Sequence, residues 1–131
     1  MDLLREYRWG YNLRVGAADI AGLLSVRDVS RALSALAEAL VEQALDSARN
    51  TLIPSLLDID TTELGIVAYG KLGSGELGYN SDLDIIFVYD QPSSISASAA
   101  AERRYRLSRL VQRLVHILTV RTPAGNLYEI D

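Results

Sequence analysis

Apolar side chains recur at spacings of three and four between Val26 and Leu52: Val29, Leu33, Leu36, Leu40, Ala44, Leu45, Ala48 and Leu52 fall on one stripe. That period belongs to an amphipathic helix with one buried face. Ser25 and Asp28 are both suited to capping its start, and Pro54 is a stop signal. Residues 3 to 22 also read as a helix, although Gly10, Gly16 and Gly22 weaken the pattern. The two helices are expected to pack through alanine-rich faces, with Tyr7, Trp9 and Tyr11 as packing residues of the first. Residues 54 to 62 read as a polar connection.

At Leu64 the period changes. Leu64 to Tyr69 is a short apolar run closed by Gly70, which predicts a buried strand. A stretch holding Gly70, Gly73, Gly75 and Gly78 follows, and then a β-branched and aromatic run from Leu83 to Tyr89 predicts a neighbouring strand. Ala97 to Thr122 reads as a helix with Leu107, Leu110, Val111, Leu114, Val115 and Leu118 on its buried face. A turn at Pro123–Asn126 and a third strand over Leu127–Asp131 complete the order: two helices, then β–loop–β–helix–β. The fold class is α+β (α/β), with a helical segment over 1–60 and a core over 61–131.

Composition narrows the function classes. The chain has 131 residues, 49% apolar and 23% charged, with no cysteine. It is neither a disordered tail nor a disulfide scaffold, and it has no thiolate for zinc or for nucleophilic attack. No apolar run could span a bilayer, and the charged start lacks the core of a signal peptide, so a cytoplasmic location with no membrane partner is expected. The net charge of −4 offers no general footprint for nucleic acid. Charge is uneven, however: residues 1–101 carry 7 basic and 14 acidic side chains, residues 102–131 carry 6 and 3. Arg103, Arg104, Arg106, Arg109, Arg113 and Arg121 supply the basic excess and are assigned to one solvated helix face. His116, the only histidine, shares that face and is expected to be exposed and without a catalytic role.

The chemistry concentrates in Gly70–Asp84. Asp82 and Asp84 are two apart at the start of a strand, so their carboxylates share a side while Leu83 and Ile85 face the other way. Two unpaired carboxylates that close repel one another and resist burial, and a divalent cation removes that conflict. Oxygen-only donors suit magnesium, which takes one or two carboxylates together with substrate phosphate oxygens. The glycine-rich turn ahead of them lets backbone N–H groups approach an anion. A phosphate cradle and an acid pair within fifteen residues imply a nucleoside triphosphate with its metal. Neither a Walker P-loop nor a dinucleotide-binding pattern is present.

The frame Gly-x(11)-Asp-x-Asp closing on a hydrophobic strand resembles the DNA-polymerase-β-like nucleotidyltransferases. The fuller wording is Ala68-Tyr69-Gly70-Lys71-Leu72-Gly73, Glu76-Leu77-Gly78-Tyr79 and Ser81-Asp82-Leu83-Asp84-Ile85-Ile86-Phe87. It is similar to the bifunctional glutamine synthetase adenylyltransferase/adenylyl-removing family. Leu13–Ile20, Val29-Ser30 and Leu36–Ala39 resemble the helical segment ahead of that family's motif, and Leu127–Asp131 resembles the strand carrying its third carboxylate. Lys71 stands where the wider superfamily has serine, and Ser74 where the branch more often has glycine.

The resemblance implies a polymerase-β-like nucleotidyltransferase core with a small mixed sheet, preceded by a two-helix segment. It implies a metal-dependent adenylyltransferase in which Asp82, Asp84 and Asp131 hold magnesium, while Gly70, Lys71, Leu72, Gly73 and Ser81 face the nucleotide. ATP would donate AMP to a tyrosine of glutamine synthetase, and a nitrogen-signalling regulatory protein would be a further partner. Glu129 could replace Asp131 as third carboxylate, since the two share a face. Lys71 either reaches a phosphate or caps the turn; Ser81 either bonds backbone or contacts ligand. The Glu76–Tyr79 and Ala17–Ile20 wording resembles the adenylylating, C-terminal head more than the adenylyl-removing one. A catalytically silent docking or regulatory module of the same fold is the alternative from another class. Because the family pattern continues past Asp131, the chain is expected to be a piece of one head with little activity alone.

Overall fold

The computed structural model describes residues 2–56 and 64–131. Helix α1 (Asp2–Ile20) and helix α2 (Val26–Leu56) come first, followed by strand β1 (Leu64–Ala68), the single turn α3 (Gly70–Gly73), strand β2 (Ile85–Tyr89) and helix α4 (Ala97–Thr119). The α+β class is observed, with a two-stranded antiparallel sheet pairing Leu64 with Tyr89 through Ala68 with Ile85.

Helix α1 ends where Gly22, at φ +70°, lets the Leu23 N–H reach Ala18 O and the Gly22 N–H reach Asp19 O. This paired closure satisfies two terminal carbonyls that would otherwise lack partners. Helix α2 starts with a reciprocal cap: Ser25 Oγ accepts from the Asp28 N–H at 3.1 Å, and Asp28 Oδ2 accepts from the Ser25 N–H at 3.3 Å. Helix α4 begins at Ser96, whose hydroxyl accepts from the Ala99 N–H, a contact of about 1 kcal/mol.

The core is one continuous cluster. Helix α2 contributes the expected stripe from Val29 to Ala48, α4 contributes Leu107, Leu110, Leu114, Ile117 and Leu118, and the sheet contributes Leu64 and Ile85. Helix α2 packs against both α1 and α4.

Several expectations need correction. Of the first two helices only α2 buries alanines, Ala37, Ala44 and Ala48, whereas α1 buries only Arg5 and Val15. Trp9 is 61% exposed and Tyr7 is also exposed, so neither is a core packing residue. Helix α2 continues two residues past Pro54; near a C-terminus, proline's missing N–H removes only one helical bond. Helix α4 stops at Thr119, where Val120 turns extended at ψ 128°, and Arg121 therefore lies outside the basic helix. Leu127–Asp131 forms no strand, only a single parallel bridge between Leu83 and Ile130. The Leu127 and Tyr128 N–H groups both donate to Leu118 O, which holds the start of this stretch on the end of α4 and leaves only its last residues to pair. The polar connection expected over 54–62 lies, from residue 57, outside the described residues. Among the described residues no helix is long and apolar enough to cross a membrane.

Candidate active site at the glycine turn

Antiparallel pairing runs one residue beyond the strands, with the Tyr69 N–H donating to Asp84 O at 2.8 Å. This bond sets Asp84 across from Tyr69, and the Asp84 side chain lies against the next residue, Gly70. Gly70 adopts φ +51°, and a Cβ there would collide with Asp84 Oδ2 and lie 3.1 Å from its Cγ. Glycine is thus required twice, by the left-handed backbone and by the carboxylate resting on it. The chain then winds through α3, and the N–H groups of Gly73, Ser74, Gly75 and Glu76 donate to Tyr69, Gly70, Leu72 and Lys71 carbonyls. Among the described residues no group accepts from the N–H of Gly70, Lys71 or Leu72. Those amides form the open end of the turn.

Two anchors hold the loop on the body. Leu72 and Leu77 are buried in the core, and the Leu77 N–H donates to Ser34 Oγ of α2 at 3.2 Å. Ser81 uses its hydroxyl to accept from the Gly78 N–H at 3.0 Å, the backbone role considered for it above. The Lys71 side chain is exposed, and its carbonyl accepts from Glu76.

Leu83 and Ile85 are buried, while Asp82 is exposed and Asp84 half-buried. Alternation along the chain therefore turns both carboxylates to the solvent side of the sheet. Val67, Ile86 and Val88 continue this open face away from the pair. On the other flank, Leu83 N–H donates to Glu129 O, Asp131 N–H to Leu83 O and Ile85 N–H to Asp131 O. This register sets Leu83 beside Ile130, so Glu129 and Asp131 follow Asp82 and Asp84 to the open side. Glu129 also accepts from Asn126 Nδ2 at 2.7 Å. The backbone brings the Asp131 segment beside the acid pair, yet no three described acidic or imidazole side chains converge as a metal cluster. An oxygen-only pair on one face, with free amides beside it, fits a hard divalent cation and a phosphate.

The inward face of α1 supplies residues that hydrophobic patterning does not reveal. Arg5 is fully buried: Nε donates to Gly125 O at 2.8 Å, and Nη2 donates to Ile117 O at 3.0 Å and Val120 O at 2.8 Å. It closes the carbonyl end of α4, where a cation is also favoured by the helix dipole. Trp9 Nε1 donates to Ala124 O, and the Tyr79 hydroxyl donates to Asp19 Oδ2 at 3.1 Å. Partial burial, then the Asp19 bond and charge, push the Tyr79 phenol above its ordinary value. The available signal was a polar stripe at helical spacing, Arg5, Arg8, Asn12 and Asp19, flanked by exposed Leu13 and Ile20. His116 is exposed, as expected.

A short antiparallel pair with a glycine turn between its strands, acids opening the second strand and helices beneath is a nucleotidyltransferase-like arrangement. The family described as glutamate-ammonia ligase adenylyltransferase matches residues 1–131. Similar proteins include three bifunctional glutamine synthetase adenylyltransferase/adenylyl-removing enzymes: from Vibrio parahaemolyticus at 41% identity over 140 residues, from Idiomarina loihiensis at 40% over 138, and from Shewanella oneidensis at 37% over 142. Each alignment covers 100% of this chain and 15% of the relative, so the chain spans a small part of their length. The chain belongs to the glutamate-ammonia ligase adenylyltransferase family and is a nucleotidyltransferase-type unit of it.

Proposed function

We propose that this chain contributes the nucleotide-binding half of an adenylylating head, which transfers AMP from ATP to a tyrosine of glutamine synthetase. In this reading residues 1–60 are the helical segment and 61–131 the core. The observation that carries it is the Asp84 carboxylate seated on Gly70 beside the free amides of Gly70, Lys71 and Leu72. That juxtaposition gives phosphate oxygens donors on one side and an anionic metal-binding partner on the other. The names of the relatives, which specify adenylylation and adenylyl removal on glutamine synthetase, support the substrate assignment.

Asp82 and Asp84 would hold magnesium, with Asp131 as the third carboxylate. Magnesium, when bound, would neutralise charge on the phosphate oxygens and on the departing pyrophosphate. The chain's own part is to bind and orient: the α3 amides and Lys71 fix the phosphates, and the rigid Tyr69–Asp84 pairing holds the acids in place. The tyrosine oxygen forms its bond to the α-phosphorus as the bond to pyrophosphate breaks, and the phenolic proton leaves to solvent. Positioning and charge stabilisation suffice, without a nucleophile from this chain. The Glu76–Tyr79 wording favours the adenylylating head, and a nitrogen-signalling regulatory protein is the further partner, acting inside the cell.

Calorimetric titration with ATP tests the reading. Binding is expected to require magnesium and to disappear in the Asp82→Asn, Asp84→Asn double variant. Unchanged magnesium-ATP affinity in that variant would overturn it.

A further inference from the structure

We propose that Arg8 is a positioning residue that sets the two flanks of the candidate site relative to one another; this rests on Asp82, Asp84 and Asp131 acting as one site. The Arg8 guanidinium lies 4.4 Å from the centre of the Tyr128 ring, and its Nη2 donates to Tyr79 O at 3.5 Å. Tyr79 stands three residues before Asp82, and Tyr128 three before Asp131. One side chain from α1 therefore touches both segments that end in the candidate carboxylates.

Its setting commits it to this place. Arg8 is half-buried, and its Nε is shielded from solvent with no hydrogen-bond partner among the described residues. The guanidinium carbon lies over the Tyr128 ring, a favourable arrangement for a cation that is partly desolvated. Burial raises the Tyr128 phenol, and the Arg8 charge opposes that rise. Neighbours keep both partners still. Tyr79 is tied at its hydroxyl to Asp19, its ring edge resting 4.0 Å from where a Cβ on Gly16 would lie. Tyr128 is buried, with its N–H bonded to Leu118 O. Among the described residues, the hydrogen bonds that join the two flanks directly are the three at the backbone bridge of Leu83 and Ile130, and Leu83, Leu127 and Tyr128 share the buried core. A bridge that short constrains separation but leaves the tilt of residues 128–131 to side chains.

Amide NMR of the 131-residue chain, with and without manganese as a paramagnetic probe of the acid site, tests this. In the wild type, manganese is expected to broaden Asp82–Ile85 and Glu129–Asp131 at one midpoint. Arg8→Met should keep broadening at both segments, which the bridge holds together, but raise the midpoint about tenfold, the usual cost of losing an outer support. Arg8→Lys, which restores a cation over the ring, should recover the wild-type midpoint. Both segments broadened at an unchanged midpoint in Arg8→Met would overturn the proposal. So would failure of Arg8→Lys to recover the effect, and this variant decides the matter if Arg8→Met does not fold. Absence of manganese broadening in the wild type would instead remove the metal reading of the acid pair. The metal-free spectra then decide on Arg8: shifts at both Tyr79–Ser81 and Tyr128–Asp131 in Arg8→Met support the bridge, and shifts at only one overturn it.

Discussion

The two flanks of the candidate site are built by different means. The glycine-turn flank, from Ala68 to Ile85, is held by backbone pairing to its own neighbours, such as Tyr69 to Asp84 and Gly73 to Tyr69. The carboxyl-terminal flank, from Val120 to Asp131, is held largely by α1, whose Arg5, Trp9 and Asp2 reach partners some 115 to 120 residues away. Local pairing shapes the turn itself, while buried Leu72 and Leu77 and the bonds from Leu77 to Ser34 and from Tyr79 to Asp19 anchor it to the helices. Long-range side-chain bonds make an assembly that forms only once the helices have docked. A site joining the two inherits both the precision of the first and the dependence of the second.

The largest expected effect breaks the second flank alone. Arg5→Met removes the donor for three carbonyls, two of them at the end of α4. Losing partners for buried polar groups costs about 1–3 kcal/mol each, so destabilisation of about 3 kcal/mol in chemical denaturation is expected. Hydrogen exchange should accelerate first at residues 120–131 and last in the glycine turn. Uniform acceleration would erase the contrast between the flanks.

Gly70→Ala is the converse. A left-handed alanine costs about 1–2 kcal/mol, and the added carbon meets the Asp84 carboxylate. The expected result is a loss of about 2 kcal/mol together with loss of magnesium-ATP binding, while exchange at 120–131 stays near wild type. Retained nucleotide affinity would mean that the seat of Asp84 on Gly70 is dispensable.

The smallest effect lies in neither flank and serves as a control. The Ser25 hydroxyl, then the Ser25 N–H, hold the Asp28 carboxyl below its ordinary value of 3.8. A depressed folded value means that this contribution is present above about pH 3.8 and fades as the acid titrates below it. Asp28→Asn should therefore lower the melting temperature slightly near neutral pH and converge with wild type in acid. A difference independent of pH would assign the effect to shape and not to charge.

Much of the fold was legible because period and punctuation are local properties. The stripe on α2, the break at Gly70 and the β-branched run into β2 each declare an element without reference to distant residues. The face shared by Asp82 and Asp84 was legible for the same reason, since strand alternation depends only on spacing. Helix α1 was harder to read: its inward face mixes Leu4, Tyr11 and Val15 with the buried Arg5, while Trp9 and Tyr7, expected to pack, are exposed. The end of the chain was misread as a strand because its apolar pattern suited one. Two N–H groups bound at Leu118 O, a partner that no local pattern indicates, hold its start on α4 and shorten the pairing to one bridge.

The amino-acid order by itself determined the glycine turn and the paired acids, because their geometry follows from backbone stereochemistry over a few residues. Only the tertiary structure decided that Arg5 would be buried, that Arg8 would lie between Tyr79 and Tyr128, and that Asp131 would arrive beside Asp84. Those outcomes depend on which surfaces meet when α1 docks. A charged side chain carries no local mark of whether water or a distant carbonyl will finally solvate it.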